Sequence, residues 1–166
     1  MRVPTRRADK LPRQKSDPSI TPEKFQELSR TLKNLLEFKR PKEAAEVKRL
    51  AEMGDFSENA GYQMAKSRLR GINKRIDDIS DLLKRAEIIN PNNKSGKIEL
   101  GNLITLERAG KQKKYRLLGS AETDPQNGII SHNSPLGSSL LGKKIGDQIQ
   151  IILEERTIEY KIINIE

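Results

Sequence analysis

Residues 62–86 have the sequence YQMAKSRLRGINKRIDDISDLLKRA, in which an apolar residue recurs at every third or fourth position without a miss. The members of this series are Tyr62, Ala65, Leu69, Ile72, Ile76, Ile79, Leu83 and Ala86. Such a period, sustained over several helical turns, is typical of a coiled-coil helix whose apolar stripe faces a second helix. The stretch therefore predicts one arm of a two-helix structure.

A less regular stretch upstream predicts the other arm. Thr21 is a suitable N-cap, and Pro22 is favoured at the first helical position because its missing N–H has no helical partner there. Pro41 predicts a kink or a break near Arg40, and Gly54 predicts the end of the helix. The apolar series of this arm is Phe25, Leu28, Leu32, Leu35, Ala44, Val47, Leu50 and Ala51. Because the connection is short, we expect the helices to pack as an antiparallel coiled-coil hairpin, a rod of about 45 Å.

After residue 90 the apolar period shortens to that of β-strands. Ala109-Gly110-Lys111 is a predicted turn between the first two strands. The expected elements are strands near 98–107, 113–118, 129–131, 149–153 and 158–165, and a short helix opened by Ser134 and Pro135 and closed by Gly142. This pattern predicts a small α+β domain with a mainly antiparallel sheet. The chain would then divide into a disordered basic arm at 1–20, a hairpin domain at 21–90 and an α+β domain at 91–166.

Composition narrows the classes of function. The 166 residues carry a net charge of +9, which favours a polyanionic partner such as nucleic acid. There is no cysteine, which excludes disulfides and thiolate metal sites and suits a reducing cytoplasm. No apolar run approaches the ~20 residues that span a membrane, so no membrane association is expected. The single histidine, His132, is expected to have a structural role.

Two acids lie between the predicted arms, in the segment from Gly54 to Tyr62. The spacing of Asp55 and Glu58 fits a capping box, in which both side chains satisfy free N–H groups at a helix start. It also fits a site for a hard cation such as Mg²⁺, which prefers oxygen ligands. The two roles are compatible, because a capping carboxylate keeps one oxygen free. Two acids alone bind Mg²⁺ weakly, so such a site would act only when a partner supplied the remaining ligands.

Basic residues are concentrated in the return arm just after this segment. Residues 66–75 contain no acid and five cations, namely Lys66, Arg68, Arg70, Lys74 and Arg75. A run of this kind is either a solvated helix face or a surface that holds the phosphates of a nucleic-acid strand. No aromatic residue is interleaved among the five, so base stacking is not indicated there.

The sequence GDFSENAGY at 54–62, between two coiled-coil arms, resembles the tip of the bacterial Gre transcript cleavage factors, GreA and GreB. Further similar motifs in the arms are Thr21-Pro22-Glu23, Arg40-Pro41 and Lys66-x-Arg68-Leu69-Arg70-x-Ile72, the last of which is nearer to GreB in its basic character. Those in the C-terminal part, similar to the FKBP-like domain of the family, are Ile130-Ser131, Ser134-Pro135-Leu136, Leu140-Leu141-Gly142-Lys143 and Gly146-Asp147. The resemblance covers residues 21–166 and leaves 1–20 without a counterpart.

The resemblance implies a transcription elongation factor that inserts its hairpin into the secondary channel of RNA polymerase and stimulates cleavage of the 3′ end of backtracked nascent RNA. Asp55 and Glu58 would position a second Mg²⁺ and the attacking water in the active site of the polymerase, and Gly54, Ser57 and Asn59 would support the tip. Lys66, Arg68, Arg70 and Lys74 would hold the 3′ segment of the RNA. The FKBP-like domain would dock outside the channel. Such a factor would be a cytoplasmic monomer, with no cofactor of its own and no enzyme activity alone.

Two other functions fit the same residues. Some relatives share the hairpin but inhibit the polymerase, although retention of both Asp55 and Glu58 favours cleavage stimulation. A general nucleic-acid-binding protein would need only the net charge of +9.

Gly61 stands where the family has a second acid before the tyrosine, which removes a negative charge and lowers helix propensity at that position.

Overall fold

The computed structural model describes residues 17–53, 60–90, 95–153 and 156–166. The N-terminal part is a helical hairpin and the C-terminal part is a five-stranded sheet with one short helix, so the α+β class is confirmed. The hairpin elements are β1 (Ser19–Ile20), α1 (Pro22–Asn34), a π-helical turn (Leu35–Lys39), α2 (Arg40–Glu52), α3 (Ala60–Arg85) and β2 (Glu87–Ile88). Those of the C-terminal part are β3 (Leu103–Arg108), β4 (Lys111–Leu118), β5 (Ile129–Ser131), α4 (Pro135–Leu140), β6 (Gln148–Leu153) and β7 (Arg156–Ile165). Short 3₁₀ turns at Ser120–Glu122 and Pro125–Asn127 join β4 to β5.

The first arm begins where the sequence predicts. Thr21 is the N-cap of α1, and its hydroxyl oxygen accepts a hydrogen bond from Lys24 N–H at 3.2 Å. Pro22 occupies the first helical position. A capping side chain of this type stabilises a helix by about 1 kcal/mol, so the start of the arm is set by local chemistry.

Pro41 does not break the first arm. The residues just before it form a π-helical turn, in which Arg40 N–H donates to the carbonyl oxygen of Leu35, five residues earlier. Pro41 then falls in the first turn of α2, where a missing N–H costs least. The predicted kink or break near Arg40 therefore takes the form of a π-helical turn, which interrupts the α-helix at Leu35–Lys39 without ending the arm.

The seam between the arms is narrow and apolar. Its buried centre is formed by Leu35, Ile76 and Ile79, and the side chains packed against this centre are Leu28, Leu32, Ile72 and Leu83. Ala44, predicted to belong to the seam, is exposed, and Glu43 lies partly buried in its place. The physical reason is that the π-helical turn adds a residue to the helical period, which rotates the inward face of α2 relative to that of α1.

A pair of two-residue strands closes the base of the hairpin. Ser19 and Ile20 pair in parallel with Glu87 and Ile88, and Ile20 is fully buried. The predicted disordered arm at 1–20 is therefore wrong for its last residues, 17–20, which are ordered parts of the fold. Residues 1–16 lie outside the described residues.

The C-terminal sheet has the strand order β5-β4-β3-β7-β6, and every neighbouring pair except β4–β5 is antiparallel. The β3–β4 turn forms at Ala109 and Gly110, which both have positive φ, as a two-residue hairpin turn requires. Ser134 caps α4 as predicted. The core between sheet and helix consists of Ile98, Ile104, Leu106, Leu117, Ile130, Leu140, Ile149 and Ile162.

The first strand of the sheet starts later than predicted. Residues 98–102 precede β3, and Ile98 is fully buried while its backbone pairs with that of Gly142 and Lys143. In the sequence, a buried apolar residue outside a strand, such as Ile98, has the same local pattern as one inside a strand. This explains why the first strand was predicted to start too early.

A polar junction fastens the hairpin to the C-terminal part. The backbone N–H and the hydroxyl of Thr21 donate to the two carboxylate oxygens of Glu122, at 2.6 and 2.7 Å. Asp17 accepts from Ser19 N–H at 3.0 Å and from Ser120 N–H at 3.1 Å, and its Oδ2 lies 3.2 Å from His132 Nδ1 without a hydrogen bond between these two atoms. The N-cap of α1 is thus also the anchor of the arm.

Gly119 allows the two parts to approach at this junction. A Cβ atom on Gly119 would collide with the carbonyl oxygen and carbon of Ser19. Because both colliding atoms belong to the backbone, they cannot rotate away as a side chain would. Close contact between β1 and the end of β4 therefore requires glycine here.

Within the described part of the chain, no helix is long and apolar enough to cross a membrane.

Loss of Glu122 should weaken the junction. We expect Glu122→Ala to lower the free energy of unfolding by about 1–3 kcal/mol, because two donors of Thr21 lose a charged acceptor. Urea denaturation of the full chain measures this value. Glu37→Ala, which removes an exposed acid from the first arm, should change it by less than about 0.5 kcal/mol. An equal effect of the two variants would contradict the role of Glu122.

The same substitution at two glycines should have opposite effects. Gly71 lies in the middle of α3, and nothing is within 4 Å of the place where a Cβ would be. Gly71→Ala should therefore raise the free energy of unfolding by up to about 1 kcal/mol, through helix propensity. Gly119→Ala should lower it, because of the collision with Ser19. Thermal unfolding of both variants checks the signs, and a destabilised Gly71→Ala would be contrary to this structure.

Candidate functional site

The connection between the two arms is bracketed by the ends of neighbouring helices. Helix α2 ends at Glu52, α3 begins at Ala60, and the exposed side chains nearest to the connection include Met53 and Met64. The predicted tip residues Gly54, Asp55, Ser57, Glu58 and Asn59 lie outside the described residues. At 1.5 Å per residue, the 26 residues of α3 separate the connection from the base of the hairpin by about 39 Å.

Three of the predicted RNA-binding cations share one face of α3. Lys66, Arg70 and Lys74 are spaced by four residues, and this spacing places side chains above one another along a helix. Arg70 and Lys74 are exposed. Lys66 is half-buried, and its Nζ lies 5.6 Å from the centroid of the Tyr62 ring. The three form an outward-facing basic surface beside the connection.

Arg68 is turned towards the first arm instead. Its Nε donates to Glu43 Oε2 at 3.0 Å, and the Glu43 side chain is 21% exposed. This ion pair joins the arms at the edge of the apolar seam. Arg68 therefore has a structural partner that the sequence did not reveal, since Glu43 and Arg68 are 25 residues apart and the predicted seam residue was Ala44.

The cations at the end of the first arm, Lys48 and Arg49, are paired with acids of the same arm. Arg49 donates from two nitrogens to the carboxylate of Glu46, at 2.8 and 2.9 Å, and these hydrogen bonds hold the pKa of Glu46 below its usual value. Lys48 Nζ lies 3.9 Å from Glu52 Oε1. Among the residues that the structure describes, Arg70 and Lys74 have no ion pair. Positive charge near the connection is consequently concentrated on α3.

The charge of α3 reverses along its length. The cations of residues 66–75 are followed by Asp77, Asp78 and Asp81, and Asp81 pairs with Arg85 at 3.3 Å. Among the described residues, no group of three or more acidic or histidine side chains is placed to hold a metal ion. The strongly basic part of the helix is therefore the part nearer to the connection, and the part nearer to the base has three acids against Lys84 and Arg85.

Comparison with known proteins identifies the family. The family model described as "Transcription elongation factor, N-terminal" matches residues 19–88, and "Transcription elongation factor, GreA/GreB, C-term" matches residues 92–166. The chain belongs to the GreA/GreB family of transcription elongation factors. The match from residue 19 includes the strand β1, which the sequence-based boundary at residue 20 left out.

Relatives named transcription elongation factor GreA match most of the length of this chain. Transcription elongation factor GreA of Nitratiruptor sp. is 37% identical over 78% of this chain and 82% of its own. GreA of Mycoplasma capricolum is 36% identical over 87% of this chain and 96% of its own. A solved structure, GreA factor homolog 1 (Gfh1) of Thermus thermophilus, is 27% identical over 86% of this chain and 94% of its own, with a TM-score of 0.39. The family is thus established by sequence, while the nearness of the return arm to GreB stays a prediction.

A double-mutant cycle separates the two roles of Arg68. If Arg68 acts through Glu43, then Glu43→Gln and Arg68→Gln should destabilise the hairpin similarly. The coupling between them should be about 0.3–1 kcal/mol at low salt and should decrease as salt is added. Chemical denaturation of the four proteins measures it. A coupling of zero would show that the pair contributes nothing to the seam, and would leave Arg68 free to contact RNA.

Proposed function

We propose that this protein stimulates cleavage of backtracked nascent RNA by RNA polymerase, with the hairpin entering the secondary channel of the polymerase. The proposal is carried by one observation, namely that two arms packed along an apolar seam are joined by a segment whose sequence contains two acids, Asp55 and Glu58. A rod about 39 Å long allows these acids to reach a site inside another macromolecule. Membership of the GreA/GreB family supports this reading.

The chemistry belongs to the polymerase, and the factor completes it. The carboxylates of Asp55 and Glu58 are the oxygen donors that Mg²⁺ prefers, and two of them leave most of the coordination sphere to a partner. When bound, Mg²⁺ lowers the pKa of a water molecule and stabilises charge that develops on a phosphoryl group. The factor itself brings the acids to the RNA and orients them. It is therefore an accessory protein and not an enzyme on its own.

The basic face of α3 has a matching role in this proposal. Lys66, Arg70 and Lys74 extend from near the connection to the middle of α3, and Arg70 and Lys74 are exposed. RNA extruded from a backtracked polymerase presents phosphates along the path that the hairpin would take. Cations at this place would hold the 3′ segment against the tip by attraction that needs no base recognition. Arg68 would contribute mainly by keeping the arms in register through Glu43.

The tip acids are tested with a reconstituted backtracked complex and 5′-labelled RNA. Mutation of a group that only orients a metal ligand costs about 10–100-fold in metal affinity or activity, and loss of a ligand should cost at least as much. We therefore expect Asp55→Ala and Glu58→Ala each to slow stimulated cleavage at least about tenfold. Binding to the polymerase, measured by competition, should be unchanged.

Glu52→Ala is the matched control, because it removes an exposed acid at the end of α2. It should cleave at the wild-type rate. Wild-type rates in both tip variants would falsify the proposal. Slowed elongation that persists in both variants would instead favour a regulator that only blocks the channel.

The basic face is tested with charge-matched triple variants. Replacing Lys66, Arg70 and Lys74 by Gln should raise the concentration of factor needed for half-maximal cleavage and weaken its dependence on salt. Replacing Lys39, Arg40 and Lys42, three exposed cations of the first arm, removes the same charge and should have a much smaller effect. Equal effects would indicate that only the net charge matters.

A further inference from the structure

One end of the C-terminal sheet carries cations and tyrosines that the proposed function does not use. They lie on three neighbouring strands, on the face that continues outward from the core. We call this surface the tyrosine–cation face; its members are Arg108 of β3, Lys111, Lys113 and Tyr115 of β4, and Tyr160 of β7. The pairing of Leu106 with Lys113 and of Ile104 with Tyr115 puts these side chains on the same side as buried core residues.

Each tyrosine ring of this face lies beside a cation. Lys113 Nζ is 5.2 Å from the centroid of Tyr115, and Arg108 Cζ is 5.9 Å from the centroid of Tyr160. Burial raises the pKa of the Tyr115 phenol, Tyr160 raises it further and Arg108 opposes the rise. From strand spacing and register, the two tyrosines are roughly 16 Å apart at their Cα atoms, on a diagonal across β3.

The described residues place no acid beside the cations of this face. Within the described residues, Arg108, Lys111 and Lys113 are exposed and form no ion pair. On this side, the described residues of β3, β4, β6 and β7 include no carboxylate.

The opposite side of the same strands is mixed in charge. There Lys114 lies 3.8 Å from Glu166, and Glu107 accepts a hydrogen bond from Gln112. The two sides of the sheet therefore present different chemistry to a partner, although they belong to the same strands.

Packing alone explains only part of this arrangement. Long cationic side chains cover apolar surface with their stems, and Tyr115 and Tyr160 pack against the edge of the core. Such covering does not require the absence of acids, since glutamates occupy the other side. Covering of apolar surface also does not require that the half-exposed rings of Tyr115 and Tyr160 lie among the three cations of this face. Single-stranded nucleic acid binds to open surfaces on which cations and aromatic rings are interleaved. Its phosphates contact the cations, and its bases stack on the rings.

We infer that the tyrosine–cation face binds a single-stranded segment of nucleic acid. Arg108, Lys111 and Lys113 hold its phosphates, and Tyr115 and Tyr160 offer their rings to its bases. A duplex would engage the cations alone, because its bases are stacked on one another. An acidic protein surface would likewise leave the rings without a role. This binding site is separate from the hairpin, about 39 Å or more of helix away from the tip.

The test measures binding of the full chain to labelled single-stranded RNA, single-stranded DNA and duplex DNA of one length, over a range of salt. A triple variant, Arg108→Gln, Lys111→Gln and Lys113→Gln, should bind the single strands at least about tenfold more weakly. Its slope of log affinity against log salt should fall by about 2, since each phosphate contact with a single strand contributes about 0.7.

The matched control is Lys114→Gln, Arg116→Gln and Lys161→Gln, which removes three exposed cations from the opposite side of the same strands. It should change affinity much less, and equal losses in the two triple variants would overturn the inference. Loss of polymerase binding with RNA and DNA binding intact would also overturn it, in favour of an acidic protein partner. Preference for RNA or for DNA supports the inference and identifies the source of the strand.

The tyrosines are tested separately from charge. Tyr160→Leu should weaken single-strand binding about fivefold or more, with the salt slope unchanged, while Tyr160→Phe should retain it, because the ring is what stacks. Thermal unfolding confirms that both variants are folded. If Tyr160→Leu and Tyr160→Phe bind alike, or if duplex binds as tightly as single strands, the stacking role is wrong. None of these measurements depends on cleavage, so their outcome is independent of the proposed role of Asp55 and Glu58.

Discussion

The structure depends on one narrow seam, in which two arms bury a single apolar stripe against each other. Among the described residues of its main cluster, Leu35, Ile76 and Ile79 are the buried ones and the others are partly exposed, so the hairpin has little apolar burial to spare. Its ends must therefore be secured by other means. The parallel pairing of β1 with β2 and the hydrogen bonds from Thr21 to Glu122 do this at the base. A stiff rod with a fixed base is the condition for placing any group at the far end.

Much of this architecture follows from local sequence. The caps at Thr21 and Ser134, the regular series of α3 and the turn at Ala109 and Gly110 each have a nearby chemical signature, and each was predicted. Local patterns could not reveal Ser19–Ile20, because a strand of two residues has no period. They also could not reveal the rotation of α2, because the only local sign of the widened turn is Pro41, which predicts a kink or a break but not a rotation.

The parts of the candidate sites that escaped prediction are pairings between distant residues. Glu43 meets Arg68 only because the π-helical turn rotates α2, and Asp17 meets Ser120 only because Gly119 permits close packing. The tyrosine–cation face brings Tyr160 to residues about 50 positions earlier through strand pairing. Long-range contacts of this kind are properties of the fold, and a single sequence carries no direct record of them. The acids Asp55 and Glu58 are the reverse case, since their spacing was read from sequence alone.

The reversal of charge along α3 gives the return arm a permanent electrical polarity. Five cations lie in its N-terminal part, where the helix macrodipole is also positive, whereas the part after residue 75 has Asp77, Asp78 and Asp81 against Lys84 and Arg85. In the field of a polyanion such a rod experiences a torque before it makes any contact. The basic part of α3 would be drawn towards the charge, at a rate that ionic strength controls.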